Sequence, residues 1–240
     1  MLHAMAGGIG KSLRGLAARL VAPSPAALLR ARLSEPVALP AGNPAAMTYV
    51  VFDIETTGLM PSRGDMPVQI GAVRIEGGEE TASFTSLVNP ARPIPALATR
   101  FHGIDDAMAA KAPPIAEALA AFADFAGGDV LVAHNAAFDG SVLVMAERRG
   151  APVIPNPLLC SLAVARWLDP QEPDLSLDGL CGRAGLVIEG RHQALGDARA
   201  TGALWRRLLA RSLARGVDDL AALVRRSRMR EAIAEGVARF

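Results

Sequence analysis

The sequence predicts an α/β fold, a mixed five-stranded sheet flanked by helices. Two local patterns and one bulk property carry the prediction. β-branched and aromatic segments follow one another from Thr48 to Val88, so the chain opens with antiparallel strands. From Pro114 onward short apolar runs alternate with helical spacing, which adds strands under covering helices. The 240 residues are 51% hydrophobic, enough to fill one generous domain and an appendage.

Taken in order, Thr48 to Ile54 (TYVVFDI) reads as the first strand. Val68 to Ile75, a Gly77-Gly78 turn and Thr81 to Val88 read as a hairpin extending from it. Ile115, Leu119, Phe122 and Phe125 recur at helical spacing, Val130 to Ala133 is a short buried strand, and Ala136 to Arg149 is again helical. Leu158 to Leu162 either supplies the fifth strand or begins the helix that runs to Leu168. Ser176 is placed to N-cap a helix through Ala184, and Ala194 to Arg215 forms a long helix stopped by Gly216. Val217 to Phe240 makes one or two Arg-rich amphipathic helices.

Pro23, Pro25, Pro36, Pro40 and Pro44, with Gly42 and Asn43, break the chain before Met47. Three parts result: an N-terminal helical and linker extension (1–46), a main domain (47–212) and an Arg-rich helical tail (213–240). The first 34 residues hold Lys11, Arg14, Arg19, Arg30 and Arg32 but no acid, with Leu13, Leu16 and Leu20 at helical spacing. An organellar presequence has that charge pattern, but serine is sparse, and a short amphipathic helix is the expectation. Gly10-Lys11-Ser12 fits the end of a phosphate-binding loop, yet Met5 stands where its first glycine belongs and no strand precedes it.

A formal charge of +1 rules out the strong uniform field of a non-specific DNA coater, so any nucleic-acid contact must be local. Arg206, Arg207, Arg211, Arg215, Arg225, Arg226, Arg228 and Arg230 are available for phosphates, although a solvated helix face is their commoner meaning. Cys160 and Cys181 lie far apart in apolar or Gly-rich surroundings and read as reduced core residues, not a zinc site or disulfide framework. No apolar run approaches the ~20 residues that span a bilayer, so no membrane role and a cytoplasmic location are expected.

Three short phrases carry chemistry. In Asp53-Ile54-Glu55 the two acids are two apart on a strand and point to one face, a ready cation site. In His134-Asn135-Ala136-Ala137-Phe138-Asp139 a buried strand passes into a helix; Asn135 is placed to cap it and Asp139 sits in its first turns, where the helix dipole favours an anion. In His192-Gln193-Ala194-Leu195-Gly196-Asp197 a loop enters a helix that carries Asp197 on its inner face beside Ala198, Thr201 and Leu204. Each phrase alone has a bland reading as a solvated pair, a cap or a first-turn acid.

Together, in this order, they resemble the DnaQ-like (DEDD) exonuclease superfamily in its DEDDh branch. FDIETTG, AHNAAFD and HQALGDA look most like the epsilon proofreading subunits of bacterial DNA polymerase III, over about Met47 to Leu209. The resemblance implies an RNase H-like domain whose active site is Asp53, Glu55, Asp139, His192 and Asp197. It implies two divalent cations, Mg²⁺ or Mn²⁺, held by the four acids; clustered carboxylates without cysteine suit such hard ions. Asp53 would bridge both, Glu55 and Asp197 would serve the ion holding the nucleophile, and Asp139 the other. His192 would be the general base, since imidazole titrates near working pH.

By the same resemblance Thr56, Thr57, Gly58 and Leu59, with His102, would cradle the 3′ nucleotide; a plain turn and a core histidine are their ordinary readings. Phe138 reads as core, and His134 as orienting its motif. The implied activity is 3′-to-5′ hydrolysis of single-stranded or frayed DNA ends to nucleoside 5′-monophosphates. RNA trimming of the RNase T or oligoribonuclease kind uses the same five residues, and a non-catalytic nucleic-acid-binding adaptor is the rival from another class. Epsilon subunits continue into a Gln-rich tether with a sliding-clamp motif; neither is seen in the Arg-rich tail, so association with a polymerase stays open.

Overall fold

A computed structural model describes residues 38–237; the segment bearing Leu13, Leu16 and Leu20 and the Gly10-Lys11-Ser12 phrase lie outside the described residues. The sheet is β1 (Tyr49–Thr56), β2 (Pro67–Glu76), β3 (Glu79–Leu87), β4 (Val130–Ala133) and β5 (Leu158–Cys160), in the order β3-β2-β1-β4-β5. β1, β2 and β3 pair antiparallel, whereas β4 joins β1, and β5 joins β4, in parallel. This is the mixed five-stranded RNase H-like sheet expected from the sequence.

β1 is the central strand, and its alternation sorts what each layer receives. Phe52 meets Phe122 of the helix α3 (Ile115–Ala126), their rings 5.3 Å apart, and Phe84 of β3 closes the same aromatic group. Tyr49, on the opposite face, meets Trp205 of the long helix α7 (Ala194–Ala214) edge-on at 5.6 Å. Tyr49, Val51, Asp53 and Glu55 share that face, so the acids lie on the side where α7 packs. The Tyr49 hydroxyl donates to Pro44 O at 2.7 Å and pins the 3₁₀ turn Pro44–Ala46 under the strand.

Two short helices, α1 (Ala96–His102) and α2 (Asp106–Ala109), fill the connection from β3 to α3 and have no counterpart in the sequence reading. They are too short to display a hydrophobic period, and α2 begins on a local cap, Asp105 accepting from Met108 N at 2.8 Å. Past β4 come α4 (Ala136–Glu147), β5, α5 (Ser161–Leu168) and α6 (Leu177–Arg183). Both readings of Leu158 to Leu162 hold in part, as the strand ends at Cys160 and the helix starts at Ser161. Ser176 caps α6 by accepting from Gly179 N at 3.1 Å. Asn135 does not cap α4 with its side chain: it takes a left-handed conformation, φ 61°, and only its carbonyl engages the helix, accepting from Phe138 N.

Two further helices follow, α8 (Leu220–Arg226) and α9 (Met229–Val237). Val217, Leu220, Leu223, Met229, Ile233 and Val237 are buried in the same apolar cluster as the sheet, and the Met229 sulfur accepts from Cys160 N at 3.3 Å. Several of the C-terminal arginines are engaged by protein: Arg211 forks onto Asp169 at 2.6 and 2.7 Å, Arg215 donates to Leu168 O, and Arg207 to Ala184 O. Cys160 and Cys181 are free and buried. Among the described residues no helix is long and apolar enough to cross a membrane.

Candidate active site

β1 delivers the first two acids, and β2 decides how closely the rest can approach. Asp53 stands opposite Gly71 and Glu55 opposite Gln69. A methyl group on Gly71 would lie 2.1 Å from Leu195 N and 2.3 Å from Ala194 C, so the first turn of α7 occupies the space a side chain would need. The Gln69 side chain then acts as a cap supplied from another element, its Oε1 accepting from Ala194 N at 3.0 Å. With its N-terminus held on the sheet, α7 projects Asp197, one turn along, toward β1.

Ligand atoms of Glu55, His192 and Asp197 come within 4.8 Å of one another, close enough to share one ion. Asp53 lies outside that trio but interacts electrostatically with Asp139, Glu55 and Asp197, which puts it within electrostatic reach of the other three acids. Asp139 is buried to 2% exposure and accepts from Ile54 N at 3.2 Å, which ties α4 to the strand bearing the acids. Asp197 is also buried; its Oδ2 accepts from Arg191 Nη1 at 2.5 Å and from His192 N at 3.3 Å. Its Oδ1 makes no hydrogen bond among the described residues, an acceptor left without a donor in the interior.

The electrostatics say that the cluster wants positive charge. Burial, then the neighbouring Asp139, Glu55 and Asp197, push the Asp53 carboxyl well above the carboxylate range, opposed by Arg191. Burial and Asp197 lift Glu55 to about 7, and burial lifts Asp139 to about 8 against hydrogen bonds from its own and the Ile54 backbone. Asp197 is raised by burial, with Arg191 pulling it down. Each close carboxylate pair costs about 4 kcal/mol at an effective dielectric of 20, a repulsion that one guanidinium offsets only in part. The donor set fits hard divalent ions: four carboxylates, one imidazole, no thiolate, and an orphaned buried oxygen.

The segment after the acids forms a closed turn. Thr56 Oγ1 donates to Gly58 O at 2.6 Å, Thr57 Oγ1 donates to Asp65 Oδ1 at 3.1 Å, and Asp65 Oδ2 accepts from Met60 N. Both threonines are buried, and a methyl on Gly58 would meet the Asp65 carboxylate at 2.5 Å. Leu59 is pushed outward, 72% exposed. His102 is buried at the end of α1, its Nδ1 accepting from Ile104 N at 3.1 Å and the ring lying beside the Thr56 backbone. Burial lowers its pKa against the pull of the Thr56 backbone.

His134 bonds through one nitrogen to Ser161 Oγ at 2.9 Å and through the other to Leu175 O at 3.1 Å, and burial pushes its pKa down to about 4. It is a neutral strut between the end of β4 and the loop before α6. Phe138 packs, partly buried, against the core.

Several residues escaped the sequence reading. Arg191 reaches Asp197, His192 and Asp178 at once. Phe101 is 61% exposed and its ring stands edge-on to His192 at 5.9 Å, while Leu97, one turn earlier on α1, is also exposed. Gln69 and Gly71 are ordinary strand residues until α7 is placed against them. The available signals were slight: Arg191 adjoins His192, and Phe101 adjoins His102.

The chain is similar to known proteins. The exonuclease (RNase T) family profile covers residues 50–205. A DNA polymerase III subunit epsilon-like protein of Rhodobacter capsulatus is 47% identical over 182 residues, 74% of this chain and 26% of the relative. The PolC-type DNA polymerase III of Bacillus subtilis is 35% identical over 173 residues, 71% of this chain and 12% of that one, so the chain spans only a fraction of the length of either relative. Exonuclease X in complex with 5′ overhanging duplex DNA superimposes with a TM-score of 0.58 at 28% identity, covering 79% of this chain and 99% of that one. E. coli Exonuclease I bound to a dT13 oligonucleotide shares the fold, TM-score 0.61 at 21% identity, over 71% of this chain and 42% of its own. On the strength of a match across more than half its length, from Val50 in β1 to Trp205 in α7, the chain belongs to the exonuclease family within the DnaQ-like superfamily.

Proposed function

We propose that the chain is a 3′-to-5′ exonuclease that hydrolyses DNA ends, single-stranded or frayed, to nucleoside 5′-monophosphates, in the manner of a proofreading or repair nuclease. The observation that carries this reading is the convergence of Asp53, Glu55, Asp139 and Asp197 beside His192. Two divalent cations, Mg²⁺ or Mn²⁺, would be held by these carboxylates and would supply nucleophile activation and neutralisation of the leaving 3′ oxygen. By the resemblance, Asp53 would serve both ions, Glu55 and Asp197 the ion that activates the nucleophile, and Asp139 the other.

The chain's own groups do the rest. His192 takes the proton of the attacking water as general base, and the edge of the Phe101 ring limits where its imidazole can turn. Thr56, Thr57 and Gly58 form a rigid turn, and exposed Leu59 and Phe101 offer apolar surfaces on which a splayed terminal base can rest. His102, buried beside the Thr56 backbone, would contact the sugar or base of the 3′ nucleotide. DNA is preferred to RNA on the 28% identity to a nuclease solved with a DNA duplex and on the polymerase relatives; those relatives also motivate association with a polymerase.

The test is a gel assay with 3′- and 5′-labelled DNA and RNA oligonucleotides in Mg²⁺, Mn²⁺ and chelator. Release of labelled mononucleotide from the 3′ end, metal-dependent and faster on DNA, is the expected result. Asp53→Ala and Asp197→Ala should reduce it to background while the proteins remain folded. Full activity in either variant, or no cleavage of any oligonucleotide with either metal, overturns the proposal, the latter in favour of a binding adaptor.

A further inference from the structure

Among the described residues Arg191 is the one cation inside the acid cluster, and its bonds divide into two sets. Nε and Nη2 fork onto Asp178 in the first turn of α6, with three N–O separations of 2.9 to 3.0 Å. Nη1 faces the other way, 2.5 Å from Asp197 Oδ2 and 3.2 Å from His192 Nδ1. A guanidinium can only donate. His192 Nδ1 therefore accepts, and a neutral imidazole with one nitrogen accepting carries its proton on the other. The single lone pair of the candidate base is thus occupied, as is one oxygen of Asp197.

We infer that Arg191 is an internal latch: its Nη1 occupies a cation position among the acids and must leave Asp197 and His192 before a divalent ion and a water can use them. This rests on the metal-site reading above. Asp178 is what makes the exchange possible. Its carboxylate, 60% exposed, holds the rest of the guanidinium from outside the cluster, so the charge has a place to stay once Nη1 swings out. Asp197 Oδ1, without any donor among the described residues, marks where the arriving ion gains most. A divalent ion interacts with all four acids, whereas Nη1 satisfies one oxygen; the ion wins, but against a competitor. Loading of the ion and release of the His192 lone pair become one event.

The latch makes two variants move in opposite directions. Arg191→Met removes the competitor, so Mn²⁺ binding to the full chain, measured by calorimetry without substrate, should tighten by about tenfold, the scale of one charge-assisted hydrogen bond. Asp178→Asn removes the outer anchor and leaves Arg191 no alternative to Asp197, so Mn²⁺ binding should weaken. A residue that merely supported the loop would weaken binding in both variants, and that result, or equal affinity in all three proteins, overturns the latch. Nitrogen NMR of the histidine rings gives an independent reading: Mg²⁺ should convert His192 Nδ1 from acceptor to a released nitrogen in the wild type, and an unchanged Nδ1 signal would refute the coupling. A wild-type protein that takes up no Mn²⁺ at all defeats the metal-site reading itself, an outcome distinct from equal affinities.

Discussion

Asp53 and Glu55 ride on a strand paired with β2 along its whole length, whereas His192 stands in a left-handed loop, φ 62°, and Asp197 in the first turn of a helix. The strand acids owe their shared direction to backbone pleating alone and would keep it whatever their neighbours were. The loop half owes its position to side chains: Gln69 on Ala194 N, the absent side chain at Gly71, and Arg191 across Asp178, Asp197 and His192. One half of the site is therefore preset by secondary structure and the other is held by contacts that can be exchanged. A nuclease that must admit ions, substrate and water gains from keeping its adjustable parts on one side.

The contrast can be broken most forcefully at His192. If the loop half works through its side chain, His192→Gln should lower kcat by roughly 10²- to 10⁴-fold, the range for a general base, without changing the melting temperature in chelator; a loss of folding instead would assign the loop a structural task. Gly71→Ala tests whether the close approach of the two halves depends on the missing side chain at Gly71. The new Cβ meets the backbone of Ala194 and Leu195, so α7 must lift; kcat should fall about 10²-fold for a shift near 1 Å, and stability by about 1 to 3 kcal/mol. Unaltered kcat on the folded variant would show that the close contact at Gly71 does not set the catalytic geometry.

The smallest effect is in pH. Native Glu55 and Asp139 titrate at about 7 and about 8, against ordinary values of 4.5 and 3.8, so between pH 7 and about 8 the folded chain holds protons that the unfolded chain has already lost. Raised pKa values stabilise below the unfolded value and lose that stability as pH rises through the folded one. His134, about 4 when folded and 6.5 ordinarily, is largely neutral in both states over this window and adds little. Thermal melts in chelator should therefore fall by a few degrees from pH 7 to 8, and saturating Mn²⁺ should remove the slope. A slope that persists unchanged in Mn²⁺ would separate the acids from the ion site.

The strand half was legible in the sequence because its information is local. Alternation alone places Asp53 and Glu55 on one face, and the phrases around Asp139 and Asp197 announce strand-to-helix and loop-to-helix passages. What was not legible depends on residues distant in the chain. Gln69 and Gly71 matter because α7, more than 120 residues later, lands on them. Arg191 shows no special chemistry until Asp178 and Asp197 flank it. The helix ending in His102 is only seven residues long and offered no period to read. Asn135 misled for the converse reason: its residue type suits a cap, but its left-handed backbone directs the side chain elsewhere.

The last helix has a bearing on Asp139 that distance along the chain conceals. α9 packs against α4, the helix whose first turns carry Asp139, and Met229 at its start grips the end of β5 through Cys160 N. The rear support of one acid is thus made from residues almost a hundred positions downstream. Whatever prises α9 from the body, a bound domain or a cut in the loop before it, would slacken the cluster from behind, and so the chain's far end offers a handle on chemistry it never touches.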